Sequence, residues 1–208
     1  MVTPMQKIAH RTGRLLCGLL HDCRGIAATE FAVIVPVMLL MFFGTIEFSS
    51  GVAVDRKMTL VARLLSDLTS QSLSVSDADI TNFTITAKAE LYPYDPTPLN
   101  LTITELWIDP ATSNAYVQWS EPLGPGRRTP GTVVAIPSTI IAKDTAGNVV
   151  AGQYLIFSET SYLYKPTVGY VMAKAGINLK DNAYTRPRQS SCVIYPTPTS
   201  GVWPACPH

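Results

Sequence analysis

The chain has 208 residues, enough for one membrane segment and one domain of ordinary size. A formal net charge of +1 gives no electrostatic basis for binding nucleic acid. Hydrophobic residues make up 47% and charged residues 15%; that is too apolar for general disorder, and it suits an extracytoplasmic β-rich domain better than a cytosolic enzyme.

The N-terminal 25 residues are basic, with Lys7, Arg11, Arg14 and Arg24 opposed only by Asp22. From Ile26 to Phe48 the residues are apolar or small apart from Glu30 and Glu47. At about 1.5 Å per residue such a helix crosses a hydrocarbon core of about 30 Å. Pro36 removes one backbone donor and is expected to kink it. The basic flank reads as cytoplasmic, which exports everything after Phe48. A cleaved secretory signal is the competing reading, but its apolar region would be long and interrupted by acids and a proline.

Within "RGIAATEFAVIVPVMLLMFFGTIEF" a glycine, Gly25, precedes Ile26, and Glu30 stands fifth counting from Ile26. Gly25, Glu30, Phe31 and the basic leader together resemble the processing site of type IV prepilins. The apolar core and the chain length most resemble the TadE/TadG-like pseudopilins, minor pilin-like components of tight-adherence pilus systems. The resemblance covers about residues 24–50. It implies cleavage between Gly25 and Ile26 by a prepilin peptidase, other pilin-like subunits and an inner-membrane assembly platform as partners, and no cofactor. It also implies an inner-membrane, single-pass protein with a periplasmic C-terminal domain. Cleavage would create a cationic amine at Ile26, one helical turn from Glu30, so that acid and amine share a face. Glu47 is then only an interfacial anchor. The plainer reading of Glu30 is also an interfacial acid, on an ordinary anchor.

After the span, Val54, Met58, Val61, Leu65 and Leu68 recur at spacings of four and three, predicting an amphipathic helix over residues 49–72. The polar run "TSQSLSVSDAD" is expected to end it. Residues 73–208 are expected to form an exported β-rich domain. "NFTITAKAELY", "NLTITELWID", "AYVQWSE", "GTVVAIPSTIIAKD" and "NVVAGQYLIFSETSYLY" are its strand candidates, with "DTAGN" as a hairpin turn. The predicted fold class is α+β, an antiparallel sheet on one long helix. The turn-rich loop "GPGRRTPG" carries Arg127 and Arg128, either solvated or poised for an acidic partner.

Cys192 and Cys206 fall in the exported tail, where a disulfide is permitted. Closing about 15 residues would contribute roughly 3 kcal/mol; free thiols are the alternative. Cys17, His21 and Cys23 in the leader lack a fourth ligand for a metal. His10 and His21 precede the span and His208 is terminal, so no internal histidine of the exported domain can serve as a general base, and no hydrolase, phosphate-loop or zinc-protease motif is present. Asp77, Asp79 and Glu90 read as ordinary surface acids, and the sequons at Asn82 and Asn100 are expected to lie in strands. The expectation is a non-enzymatic pilin-like subunit in the lipid bilayer. Its rival is an unprocessed single-pass anchor carrying a periplasmic binding domain.

Overall fold

A computed structural model describes residues 24–166, 176–197 and Cys206. The chain divides into two compact units, Met1–Phe48 and Ser49–His208. The architecture is α+β, a long N-terminal apolar helix followed by an antiparallel sheet. Helix α1 runs Arg24–Ser70 and passes through Pro36 unbroken. Helix α2 (Asp77–Glu90) follows, then β1 (Leu99–Ile108), β2 (Ala115–Leu123), β3 (Val133–Val134), β4 (Gln153–Tyr164) and β5 (Ile177–Thr185). The described strands form one sheet in the order β3-β2-β1-β4-β5, every neighbouring pair antiparallel.

Within the second unit the predicted amphipathic stripe is the face that packs. Val54, Met58, Val61 and Leu65 are fully buried and join Leu99, Leu101, Ile103, Trp119 and Ile156 in one core, while Leu68, the last of the stripe, is half-buried and outside it. The Ser158 hydroxyl donates to the carbonyl of Ala62 (2.5 Å), which ties β4 to α1.

A second core lies on the opposite side of the sheet. It contains Leu106, Ile108, Val117, Leu155 and Phe157. The two cores are reconciled by a β-bulge. Glu105 pairs with Trp119 but Leu106 pairs with Val117, so Gln118 is skipped. One extra residue inverts which alternate positions face which way. Val117 and Trp119, two apart in sequence, therefore serve different cores.

Three strand assignments need correction. "NFTITAKAELY" is not a strand; it lies mostly in α2, which places the Asn82 sequon on a helix. Its inner residues Ile80, Phe83, Thr84, Ala87 and Leu91 follow helical spacing. The start is fixed by a capping box. The Asp79 N–H donates to Ser76 Oγ (3.2 Å) and the Ser76 N–H donates to Asp79 Oδ2 (2.9 Å). The polar run expected to end one helix thus also starts the next.

"GTVVAIPSTIIAKD" contributes only the two-residue β3 and a short 3-10 helix, Ser138–Ile140. Pro137 cannot donate to a ladder, and Ile136, Ile140 and Ile141 cover the second core instead. Gln153 holds this cover through its side chain: it accepts from the Ala142 N–H (2.7 Å) and donates to the Ala142 and Val150 carbonyls (2.9 and 2.6 Å). "DTAGN" does turn, with an isolated bridge between Lys143 and Val149. "NVVAG" stays outside β4.

Strand β5 has no counterpart among the expected strands. Its sequence "INLKDNAYT" is polar, with residues depleted in strands. Side-chain ties hold it: Asp181 accepts from Thr59 of α1, Thr185 Oγ1 lies 2.9 Å from Ser66 Oγ, and Tyr184 stacks on Phe157 at 4.6 Å.

Candidate functional site

The residues singled out at the head of the membrane segment all lie in the first two turns of α1. Gly25 is helical, and a Cβ built on it would meet nothing within 4 Å. Ile26 is 57% exposed and Phe31 69%. Glu30 is exposed, four residues beyond Ile26, and has no hydrogen-bond or ion-pair partner among the described residues.

The rest of the segment presents apolar surface on all sides, and its most apolar stretch has no buried residue. Ile34, Met38, Met41, Phe42 and Phe48 are all exposed. Exposed apolar area costs about 25 cal/mol per Å² in water, so a continuous stripe of this size needs lipid or other helices against it. Its hydroxyls are satisfied locally: Thr29 donates to the Ile26 carbonyl and Thr45 to that of Met41, both at 2.8 Å. Among the described residues this is the one helix long and apolar enough to cross a membrane.

The second unit contains a buried acid that the sequence reading did not single out. Glu105 is 1% exposed, in phase with Leu99, Leu101 and Ile103 along β1. Its Oε1 accepts from the Val193 N–H (2.5 Å) and its Oε2 from the Trp119 indole N–H (3.0 Å), which also donates to the Val193 carbonyl (2.8 Å). Burial pushes the carboxyl up to about 8, against the pull of the two N–H donors toward the ionised form. The available signal was a glutamate at a position whose alternate neighbours are all apolar.

Glu105 thereby fastens the segment around Val193 to the sheet. The Val75 N–H donates to the Ile194 carbonyl (2.9 Å) and the Ile194 N–H to that of Leu73 (3.2 Å), making a short parallel bridge to the α1–α2 connection. Tyr195 packs on Trp119 at 5.2 Å and donates to Asp77 (2.7 Å). Cys192 and Cys206 are joined by a disulfide.

The two arginines of the turn-rich loop each face a carboxylate of this chain. Arg127 pairs with Glu121 (2.5 Å); Arg128 pairs with Glu159 and lies 5.3 Å over the Phe157 ring. Glu90 lies 3.8 Å from Lys57. Asp79 is held below the usual carboxylate range by the Ser76 hydroxyl and backbone N–H. Asn100 lies in β1, as expected. Among the described residues no group of acids, cysteines or histidines is arranged to hold a metal. Cys17, Cys23 and all three histidines lie outside the described residues.

Residues 25–64 match the family model of the TadE-like proteins. The match begins at Gly25 and ends within the part of α1 that packs on the sheet. No curated protein and no solved structure matches the chain.

Proposed function

Residues 25–64 are TadE-like, and from that premise we propose that the protein is a minor pilin-like subunit for assembling a tight-adherence pilus. The observation that carries the reading is the start of α1: a glycine open to approach, then an apolar helix whose most apolar stretch has no buried residue, with one acid on its second turn. In this reading the basic leader stays in the cytoplasm and the second unit is exported. A prepilin peptidase cuts between Gly25 and Ile26, where the lack of a Cβ lets the chain lie close in the enzyme. The new amine at Ile26 and the Glu30 carboxylate then lie one turn apart, and either can pair with the complementary group of a neighbouring subunit. The exposed apolar face exchanges lipid for like helices as the subunit joins its partners. The protein's role is structural, with no reaction of its own.

The deciding experiment is the N-terminal residue of the protein recovered from membranes of a host that has its own prepilin peptidase. A chain beginning at Ile26 is expected, with Gly25→Val left uncut. Recovery of uncut wild-type chain would refute processing and leave an unprocessed single-pass anchor.

A further inference from the structure

The threading of the second unit gathers several elements at one end. Along α1 the Ala62 and Met58 carbonyls accept from the Ser158 and Thr160 hydroxyls (2.5 and 3.5 Å), and a Cβ built on Gly51 would lie 3.6 Å from the Tyr164 ring. Strand β4 therefore runs antiparallel to α1 and finishes beside the unit's first residues. The register brings Leu99, at the start of β1, opposite Tyr162, and Ile177, at the start of β5, opposite Tyr164. The α2–β1 connection closes on the same end: the Tyr162 hydroxyl donates to the Asp95 carbonyl (2.8 Å) and Lys57 Nζ to that of Glu90 (2.7 Å).

Large apolar side chains stand exposed around this end, each on a different element: Val52 on α1, Tyr92 on the α2–β1 connection at 80%, Leu163 on β4 and Ile177 on β5 at 50%. Scattered singly, such residues are ordinary on a surface; their place in the chain is what distinguishes these. Gly51 follows Phe48, the last residue of the apolar segment, by three positions, and three residues reach at most about 11 Å. Where that segment lies in lipid, the chain itself holds this end at or beside the headgroup layer, roughly 5–7 Å thick on each side of the hydrocarbon. Tyrosine, with an apolar ring and a polar hydroxyl, is enriched at that depth. Lys165, exposed next to Tyr164, carries a long apolar stem and a charge that suits lipid phosphates.

We propose that this end of the second unit is a lipid-contacting surface, with Val52, Tyr92, Leu163 and Ile177 seated in the headgroup layer of the bilayer that the apolar segment crosses. The proposal rests on the membrane reading of that segment, and on neither cleavage nor pilus assembly.

The test is photo-crosslinking of the full chain in nanodiscs of phosphatidylethanolamine and phosphatidylglycerol. Benzoylphenylalanine replaces Tyr92, Ile177, Val133 or Phe42, one at a time, and the adducts are identified by mass. Val133 is the reference: it is 55% exposed and pairs with Tyr116 at the opposite end of the sheet. Lipid adducts should be several-fold more abundant from positions 92 and 177 than from 133. Equal yields from the three overturn the proposal, as do adducts from 92 and 177 to a second copy of the chain in place of lipid. Phe42 separates the two readings. Lipid adducts at 42 with none at 92 and 177 leave the membrane segment standing and remove the surface; none at 42 removes both. A measurement on the unaltered chain guards against a replacement that disturbs the fold. Under hydroxyl-radical oxidation in the same nanodiscs, Tyr92 should be modified less than the half-buried Tyr116. Modification of Tyr92 above Tyr116, which exposure to water alone would give, overturns the proposal.

Discussion

Two glutamates show how differently one residue type is used. Glu30 is exposed on an apolar helix, whereas Glu105 is buried between strands and the Val193 segment. For Glu105 the folded carboxyl titrates near 8 and an ordinary one near 4.5. Below about 4.5 both folded and unfolded chains carry the proton; between about 4.5 and 8 only the unfolded chain releases it. Stability is therefore greatest below the lower value and falls as pH rises toward the higher, by about 1.4 kcal/mol per pH unit from this group alone. Melting temperatures measured across this interval should decline for the wild type and decline less for Glu105→Gln, which cannot ionise. For Glu30 the expectation concerns assembly. Glu30→Gln should insert as well as the wild type, since removing a charge lowers the insertion cost. It should then fail to co-purify with pilin-like partners, while Glu47→Gln should not. Normal co-purification of Glu30→Gln would end the pairing account.

At the scale of elements, periodicity succeeded where burial alone shaped the pattern. Val54, Met58, Val61 and Leu65 announce the packing face of α1 because every one of them is buried. It failed for α2, where Thr84, Ile85 and Thr86 supply β-branched alternation inside a helix. There the capping box was the better signal, and it is testable: Ser76→Ala should cost about 1 kcal/mol, seen as a lower denaturation midpoint with unchanged m-value. The bulge at Gln118 had no visible sign, since "AYVQWSE" alternates smoothly across it. Nothing in β2 says that Val117 and Trp119 serve different cores; only the pairing with β1 does. Strand β5 was hidden for the opposite reason, being a polar edge held by side-chain ties to α1 and β4. Tight turns also left their mark. Gly124 has φ +99°, and a Cβ there would lie 2.3 Å from Asn100 Oδ1. Gly124→Ala should destabilise by about 1–3 kcal/mol in the same denaturation measurement.

For the whole molecule, the α+β class was legible because an apolar helix and alternating strands occupy separate stretches of sequence. The likeness of residues 25–64 to the TadE-like family was legible too, since Gly25, Ile26, Glu30 and Phe31 are read from local spacing. The Glu105 fastening was not, because it depends on strands brought together by pairing. The same non-local character makes the Cys192–Cys206 disulfide matter beyond its own loop, for it sits beside the fully buried Val193. Cys206→Ser should lower unfolding free energy by roughly 3 kcal/mol, the loop-closure contribution of about 15 residues, and reduction of the wild type should do the same.

Val193 fills a core whose other members begin at Val54, so the first and last contributors are separated by almost the whole second unit. A chain is made from its N-terminus, and domains complete their folding as units during or after synthesis. This core therefore lacks one of its layers until residue 193 has emerged, and the Trp119 indole and Glu105 carboxyl wait for the Val193 backbone that they bind. Completion of this core thus waits on residue 193, long after the strands it covers have been made. A version ending at Arg188 should keep helical and strand signals yet bind a dye for exposed apolar surface, and protease should cut it as the full chain is not cut.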